Sequence, residues 1–407
     1  MSACLRPNLV ILIVALCLGS CAFLPPKLDL PLTVDTMAAL EPYLENAVLH
    51  QKPPSVSVGV IKNNNTVYTK AFGHTDALAQ SPASPDTVYQ WWSLTKLFTA
   101  VAVLQLQERG LLSIDDSVAD HLPGFTTRGK SVNPQDIIIK QLLSHSSGLG
   151  DIGMAILGWV HFEGDAHPNQ TELFNSTIEK YNKLKVKPGE QGRYSNFGYL
   201  ALAALIESVS GESYEDYIID NIALPLGMTN THFIYTPEML LNAATGSHPS
   251  DAISKIVPIY LDTKRAVNEK RNGVLWFNAV YSDQKGASGL IGPVTDLLKF
   301  MQVFLANDDS SSNSILSKQS IALMQTPVVD VVKSPAPADN LRFGLGWFIG
   351  EENGEVTLNH GGSGMAFVSM LTLYPERNMG TVVMANSTYL GRTMGFKLSQ
   401  LLGGIEW

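Results

Sequence analysis

Segments with strand character lie at both ends of this 407-residue chain, and helical patterns occupy its middle. Near the N-terminus, Val56, Val58 and Val60 alternate with small residues ahead of the turn Asn63-Asn64-Asn65, which predicts a β-hairpin. Strand patterns return only late in the chain, at 344–349, 356–358, 366–374 and 379–385. Because strands must pair to satisfy their backbone groups, the two ends are predicted to build one antiparallel sheet.

This pattern predicts an α/β (α+β) fold in which helices flank the antiparallel sheet. Residues 33–407 are expected to form a single domain, with a sheet lobe of about 33–110 and 286–407 and an inserted all-helical lobe of about 111–285. Helical spacing predicts an opening helix through Met37 and Val48, and a last helix over about 390–402. The active site is expected between the two lobes.

The first 21 residues have the pattern of an export signal. Arg6 precedes an apolar run over 10–18, which is too short to span a bilayer, and Leu18-Gly19-Ser20-Cys21 follows it. These four residues resemble the lipobox of bacterial lipoproteins. The resemblance implies a signal peptide over 1–20, lipidation of Cys21, a tether over 21–32, and a lipid anchor in the bacterial cell envelope, on the periplasmic face of the outer membrane. The alternative is an ordinary secretory signal cut near Cys21.

Composition excludes several classes of function. All three cysteines, Cys4, Cys17 and Cys21, fall within the first 21 residues, so the remaining chain has no disulfide, Cys-ligated metal or Cys nucleophile. No His-Glu-x-x-His pair occurs, and no metal or other cofactor is predicted. A net charge of −9 with 16% charged residues argues against nucleic-acid binding, which requires clustered basic residues.

One glycine pattern requires an alternative to be weighed. Residues 148–153 contain Gly-x-Gly-x-x-Gly, with Glu172 about 20 residues further on. A dinucleotide-binding loop must directly follow a strand, whereas 140–147 has the pattern of a helix end and a turn. The context therefore argues against a nicotinamide or flavin site.

A Ser-x-x-Lys string is the first motif in the chain that indicates a catalytic site. Ser93 begins an apolar helix and Lys96 follows three residues later on the same helix face, so the amine can reach the hydroxyl and activate it. The alternative is a helix cap at Ser93 with Lys96 on the solvent side. A second string, Ser282 to Lys285, lies in a polar stretch that we interpret as a loop.

Two further motifs follow in order. Tyr194-Ser195-Asn196 precedes a helix, and His360-Gly361-Gly362 leads into a strand. Together with Ser93 and Lys96, these motifs resemble the serine β-lactamase and penicillin-binding protein superfamily, in its class C, D-peptidase and esterase branch. The supporting segments are 139–149, 286–290, 343–347 and 360–364.

The resemblance implies a β-lactamase/transpeptidase-like fold and a role for each matching residue. Ser93 would be the acylated nucleophile, and Lys96 and Tyr194 would share its proton, either one serving as the base. Backbone N–H groups of Ser93 and Ser363 would form the oxyanion hole. His145 is assigned to structure, as the cap of a turn. The substrate-binding positions it implies are Asn196, His360, Gly362 and Ser363.

One departure from the family pattern bears on the substrate. Penicillin-recognising members carry Lys-Thr-Gly where this chain has His360-Gly361-Gly362, so a permanent cation for a substrate carboxylate is missing. We therefore expect a small-molecule or peptide acyl substrate: an acyl ester, a D-amino-acid peptide and, only weakly, a β-lactam. The alternatives are a non-catalytic cell-wall or lipid-binding protein that retains the fold, and an activator of another enzyme.

Overall fold

The computed structural model describes residues 36–49, 53–128, 132–152, 158–250, 261–305, 315–332, 339–352, 354–388 and 391–407. The export signal, Cys21 and the tether lie outside the described residues, and what the sequence indicates for them stays a prediction. No helix in the described part of the chain is long and apolar enough to cross a membrane.

Both ends of the chain contribute to one eight-stranded sheet, with the order β10-β11-β12-β13-β14-β15-β1-β2. The described strands are β1 Ser55–Lys62, β2 Asn65–Gly73, β3 Val88–Gln90, β4 Val160–His161, β5 Ser247–Pro249, β6 Val267–Arg271, β7 Val274–Phe277, β8 Tyr281–Ser282, β9 Ile291–Pro293, β10 Val329–Asp330, β11 Asp339–Phe343, β12 Phe348–Glu352, β13 Glu355–Gly364, β14 Phe367–Tyr374 and β15 Met379–Ala385.

The register confirms that the two ends share this sheet. Strand β1 pairs antiparallel with β15, so that Val56 lies opposite Ala385 and Lys62 opposite Met379. Strand β1 also pairs with β2 through the predicted hairpin, where Asn63 and Asn64 adopt φ of 50° and 63°. Asparagine tolerates this left-handed region better than most residues, so the turn chemistry agrees with the strand pattern.

The helices pack on both faces of the sheet and form most of the insert. They are α1 Met37–Leu49, α2 Thr95–Glu108, α3 Val118–His121, α4 Ile139–Leu143, α5 Gln170–Tyr181, α6 Asn196–Ser210, α7 Tyr214–Ile218, α8 Pro237–Leu240, α9 Thr263–Ala266, α10 Lys285–Ser288, α11 Val294–Leu305, α12 Lys318–Gln325 and α13 Gly391–Gly404, with a π-helical turn at Ile219–Ala223 and 3₁₀ turns at Trp92–Leu94, Pro134–Asp136 and Pro375–Arg377.

Alternate residues of the central strands face two separate cores. Val383 packs in one cluster with Leu40 of α1 and Leu402 of α13, whereas its neighbour Val382 belongs to the larger cluster that contains Leu298 of α11. Successive side chains of a strand point to opposite faces, so a strand buried on both faces is apolar at consecutive positions. The sheet is therefore a central layer between helices.

Helices α2 and α6 form the centre of the larger core. Residues 197–206 of α6 are all buried, as are residues 95–106 of α2. A helix that is buried on every side is enclosed by other elements, and these two helices contact each other. Both carry site residues at their N-terminal ends, so the site rests on the most enclosed part of the protein.

The insert is not entirely helical, which corrects the expectation of an all-helical lobe. Strands β5, β7 and β6 form a three-stranded sheet in it. The turn between β6 and β7 is Asn272-Gly273, with φ of 51° and 77°, the sequence that favours a two-residue hairpin. That signal was present in the sequence.

The expected strand over 344–349 is also wrongly placed. Strand β11 ends at Phe343 and β12 begins at Phe348, with a turn between them in which Gly346 has φ of 86°. A residue other than glycine would be strained there, so the glycine breaks the apolar run. The expected strand 356–358 is the middle of the longer β13.

Candidate active site

The predicted nucleophile lies on a tight turn ahead of the α2 helix. Ser93 is the middle residue of the 3₁₀ turn Trp92–Leu94 and is 8% exposed. Trp92 adopts φ of 50°, which is unfavourable for a large side chain and is found where surrounding structure enforces it. Leu94, not Ser93, is the N-cap of α2 and makes no side-chain cap, so the capping alternative for Ser93 is wrong.

Lys96 is fully buried and lies beside this turn, which also excludes a place on the solvent side. Its Nζ lies 3.1 Å from Ser93 Oγ, 2.8 Å from Asn196 Oδ1 and 2.8 Å from the carbonyl oxygen of Ala287. An amide or carbonyl oxygen can only accept a hydrogen bond, so Nζ donates to Asn196 and Ala287 in either protonation state. The same amine also contacts Ser93.

Tyr194 and Asn196 lie at the start of α6, and both approach the amine of Lys96. The Oγ of Ser195 accepts a hydrogen bond from the N–H of Gly198 at 3.0 Å and caps this helix. The Nζ of Lys96 lies 4.9 Å from the centre of the Tyr194 ring. This cap fixes the start of α6 and thereby places Tyr194 and Asn196, on either side of Ser195, next to Lys96.

His145 holds the Tyr194 segment, which is more than the turn cap expected from the sequence. Its backbone oxygen accepts from the N–H of Arg193 at 2.8 Å, and its Nδ1 accepts from the N–H of Ser195 at 3.1 Å. Its ring packs on that of Tyr194, with centres 4.4 Å apart. One residue therefore binds both chain neighbours of Tyr194 and contacts its ring.

His145 makes these contacts as a neutral ring. It is 2% exposed, and burial holds its pKa well below 6.5, with smaller contributions from the charges of Lys96 and His360. Because Nδ1 accepts a hydrogen bond, the ring proton is on Nε2. The backbone at His145 has φ of 55°, so the residue also forms the turn itself.

The third motif, His360-Gly361-Gly362, and the residues that follow it pack directly against the 3₁₀ turn at Ser93. A β-carbon placed on Gly362 would lie 1.9 Å from the carbonyl oxygen of Trp91, and one on Gly364 would lie 2.1 Å from the indole of Trp92. Only glycine permits this approach. Ser363 lies between the two glycines on this strand, and its part in an oxyanion hole stays a prediction.

His360 is 1% exposed on β13. Its Nδ1 lies 3.0 Å from the carbonyl oxygen of Gly361, and its ring centre lies 6.2 Å from that of Tyr194 and 5.4 Å from that of Phe348. The structure thus brings His360 next to Tyr194. Its contact with a substrate carboxylate stays a prediction.

The segment around α10 contacts α2 through its backbone carbonyl groups. The carbonyl oxygen of Gly286 accepts from Thr99 Oγ1 at 2.6 Å, next to the Ala287 carbonyl that accepts from Lys96. A β-carbon on Gly286 would lie 2.5 Å from that of Ala203 on α6, so this glycine allows the close approach. The sequence indicated the segment, but not that its backbone carbonyls are the functional groups.

Asp151 was not expected in the site at all. Its Oδ1 accepts from the backbone N–H and from the Nδ2 of Asn196, both at 3.1 Å. This contact assigns the amide of Asn196, with nitrogen towards Asp151 and oxygen towards Lys96. No sequence pattern links residues 45 positions apart in this way.

The second Ser-x-x-Lys string is buried, so its interpretation as a polar loop is wrong. Ser282 belongs to β8 and its Oγ lies 2.8 Å from that of Ser288, while Lys285 begins α10 and is 3% exposed. Lys285 forms an ion pair with Glu215 and contacts His167, not Ser282.

The structure also bears on two other kinds of site, a dinucleotide loop and a metal centre. Helix α4 and a turn precede the glycines at 148–150, the context that argues against a dinucleotide loop, and Gly153 lies outside the described residues. Among the described residues, no three His, Cys, Asp or Glu side chains are grouped so that they could hold a metal ion.

Comparison with known proteins agrees with this architecture. Protein flp of Staphylococcus aureus strain N315 is 29% identical over 358 residues, which cover 87% of this chain and 64% of that protein, so this chain spans less than two thirds of its relative. The octameric penicillin-binding protein homologue from Pyrococcus abyssi superposes with a TM-score of 0.70 at 30% identity, over 90% of this chain and 77% of that one.

A D-amino acid amidase from Ochrobactrum anthropi SV3 superposes with a TM-score of 0.71 over 90% of this chain and 98% of that one. At 19% identity, this likeness concerns the fold alone. The family model described as Beta-lactamase matches residues 38–400, a range that includes every element of the site. With the antiparallel sheet, the Ser93 turn and this match in agreement, the chain belongs to the Beta-lactamase family.

Proposed function

We propose that this protein is a serine hydrolase that forms an acyl-enzyme at Ser93 and hydrolyses small acyl esters or amides, including D-amino-acid peptides, and only weakly β-lactams. The observation that carries the proposal is the contact of 3.1 Å between Ser93 Oγ and the Nζ of a fully buried Lys96. A hydroxyl needs a positioned base to attack a carbonyl at neutral pH.

The contacts of Lys96 suit a base. In its neutral form the amine has two N–H groups and one lone pair. The oxygens of Asn196 and Ala287 can accept these two N–H groups, and Nζ lies 3.1 Å from Ser93 Oγ, a distance at which its lone pair can accept the hydroxyl proton. Tyr194, whose ring lies beside Nζ, is the second group that can take or return this proton.

The reaction follows in two stages. Ser93 Oγ bonds to the substrate carbonyl carbon while its proton passes to Lys96 or Tyr194, and the backbone N–H groups of Ser93 and Ser363 stabilise the oxyanion. Collapse breaks the bond to the leaving alcohol or amine, which takes up that proton. Water then adds to the acyl-enzyme, giving its proton to the same base, and the acid product leaves as Ser93 recovers its proton.

Substrate preference rests on the third motif. His360 is buried against Phe348 and Tyr194, where β-lactam-recognising members of the superfamily carry a lysine cation. Charge-assisted hydrogen bonds to a carboxylate are about twice as strong as neutral ones. Neutral esters and amides are therefore proposed to react better than penicillins.

Labelling by a fluorophosphonate tests the nucleophile. Wild type and Ser282→Ala should gain one phosphonyl adduct, and peptide mapping should find it on Ser93. Ser93→Ala should gain none and should lose hydrolysis of p-nitrophenyl butyrate. Ser282→Ala is the matched control because Ser282 has the same Ser-x-x-Lys spacing.

The outcome that overturns the proposal is a wild type without an adduct, or a Ser93→Ala variant that keeps more than a tenth of the turnover. The first result would favour the non-catalytic binding protein. Comparing nitrocefin with p-nitrophenyl butyrate tests the weak β-lactam activity separately.

A further inference from the structure

Tyr194 takes its position from contacts outside its own segment. Residues 193–195 belong to neither a helix nor a strand, since α6 begins only at Asn196. A segment of this kind has no regular ladder of backbone hydrogen bonds to fix the direction of its side chains. The place of Tyr194 beside Lys96 therefore depends on what binds its two chain neighbours.

His145 binds both of these neighbours. Its carbonyl oxygen accepts from the N–H of Arg193 at 2.8 Å, and its Nδ1 accepts from the N–H of Ser195 at 3.1 Å. Its ring packs on the ring of Tyr194 between them, with ring centres 4.4 Å apart. Three contacts from one residue thus restrain the backbone on either side of Tyr194 and the ring itself.

His145 is in turn held by the core of the protein. The centre of its ring lies 5.0 Å from that of Tyr199 on α6 and 4.8 Å from that of Phe343 on β11. The hydroxyl of Tyr199 donates to the carbonyl oxygen of Leu143 at 2.9 Å, two residues ahead of His145. The turn that carries His145 is therefore fixed to α6 and β11, so it can serve as a support.

The buried state of His145 preserves its contact with Ser195. His145 is 2% exposed, and burial holds its pKa well below 6.5, so the ring is neutral. Only a ring without a proton on Nδ1 can accept from the Ser195 N–H. The proposed reaction gives this neutral ring no chemical step of its own.

We propose that His145 is a positioning residue: it holds Tyr194 in the orientation in which this side chain exchanges a proton with Ser93 and Lys96. The inference rests on the proposed function and adds a residue that acts through Tyr194 rather than on the substrate. Displacing a reacting group by about 1 Å can cost about a hundredfold in rate. Removing the support should therefore slow acylation without weakening the initial binding of a reagent.

Two kinds of variant separate the acceptor from the rest of the side chain. His145→Gly and His145→Ala remove both the ring and the acceptor, and glycine tolerates the φ of 55° at this position. His145→Asn also suits this backbone, and its side-chain oxygen can accept from the Ser195 N–H in place of Nδ1. Ser146→Ala is the matched control, because Ser146 is the next residue, is 1% exposed, and has its Oγ 2.9 Å from that of Ser144.

The rate of fluorophosphonate labelling measures the effect, once urea unfolding has shown that each variant is folded. His145→Gly and His145→Ala should lower the maximal labelling rate about tenfold to a hundredfold, and leave the reagent concentration at half-maximal rate within about twofold. His145→Asn should be labelled at least about fivefold faster than His145→Gly, because the acceptor is restored. Ser146→Ala should stay within about twofold of the wild-type rate.

A second set of variants tests whether His145 acts through Tyr194. Tyr194→Phe should be labelled about a hundredfold more slowly than wild type, because its hydroxyl is lost. Adding His145→Gly to Tyr194→Phe should slow labelling by no more than about twofold further, since the group that His145 positions is already absent. Such non-additivity is not expected of a residue that only stabilises the fold.

Three outcomes would overturn the inference. They are an equal slowing by His145→Gly with and without the Tyr194 hydroxyl, a His145→Asn variant as slow as His145→Gly, and a Tyr194→Phe variant as fast as wild type. In each of these cases Ser93 would still be labelled in the wild type. A wild type that gains no adduct contradicts the proposed function instead, so the two failures are distinguishable.

Discussion

The two Ser-x-x-Lys strings of this chain have the same spacing and different surroundings. At Ser93, a 3₁₀ turn runs into a helix and the Lys96 amine lies 3.1 Å from the hydroxyl. At Ser282, a strand precedes a four-residue helix, and Lys285 forms an ion pair with Glu215 instead. The Ser-x-x-Lys spacing brings the hydroxyl and the amine into contact only when both residues lie on one helical turn.

Burial alone does not distinguish the two lysines, because both are almost fully enclosed. The difference lies in their partners. Lys96 donates to the neutral oxygens of Asn196 and Ala287, and its Nζ lies 3.1 Å from Ser93 Oγ. Lys285 is held by the carboxylate of Glu215 and makes no contact with Ser282.

Exchanging each lysine for methionine should give the largest contrast. Lys96→Met is expected to lower the rate of acylation by a fluorophosphonate at least a hundredfold, because a positioned proton acceptor contributes that much. Lys285→Met should leave acylation within about threefold and lower the free energy of unfolding by about 1 to 3 kcal/mol, since Glu215 loses its partner. Stopped labelling reactions and urea unfolding measure the two effects. If Lys96→Met and Lys285→Met lowered the acylation rate equally, the two lysines would not differ in their role.

Strand β13 packs on the turn of the first string, and a β-carbon at Gly364 tests that packing. Gly364→Ala would place the new atom 2.1 Å from Trp92, so we expect a loss of about 2 to 3 kcal/mol in unfolding free energy and at least a tenfold slower acylation. The control is Gly395→Ala, whose β-carbon meets its neighbours at 3.5 Å. A Gly364→Ala variant as active and stable as the control would show that the turn does not depend on this contact.

The smallest effect concerns pH and His145. The unfolded chain binds a proton at this residue below about pH 6.5, whereas burial keeps the folded residue neutral, its pKa lying well below 6.5. Stability from this residue is therefore complete above pH 6.5 and is lost as pH falls towards the folded pKa, by up to about 1.4 kcal/mol per pH unit. His145→Asn suits the left-handed backbone and cannot titrate, so its stability should fall less between pH 6.5 and 5.

Urea unfolding at pH 7.5, 6.5 and 5 measures these slopes, with His145→Ala as the variant that also loses the Ser195 contact. Alanine should be the less stable of the two at every pH, since it offers no acceptor to that N–H. If the free energy of unfolding fell equally with pH in wild type and in His145→Asn, the burial of a neutral His145 would not be the cause of the loss.

The sequence could predict what depends on local spacing. The contact of Ser93 with Lys96 joins residues three apart on a helix, and the β1–β2 hairpin joins neighbours through a recognisable turn. The pairing of both chain ends followed from strand patterns, because strands without partners would leave backbone groups unsatisfied. Tyr194, Asn196 and His360 were identified only through order along the chain and a resemblance.

What the sequence could not indicate are contacts made by the backbone or across long separations. The Ala287 carbonyl is 191 residues from Lys96 and is a group that every residue carries. Asp151 and the Nδ1 of His145 act on N–H groups near residue 195, and neither side chain has a neighbour in sequence that reveals its target. Tertiary packing alone brings these groups together.

The pairing of β1 with β15 imposes an order on folding. During synthesis, residues 55–62 emerge some 300 residues before the strand 379–385 that lies beside them. Until that last strand is available, β1 presents an unpaired edge, and the Ser93 turn has no Gly362 to pack against. Contacts between distant segments form slowly, because a long loop must close before they stabilise the chain. The Ser93 turn is thus complete only after residues 355–385 have been made, and nascent chains that end before them lack the packing of Gly362 on this turn.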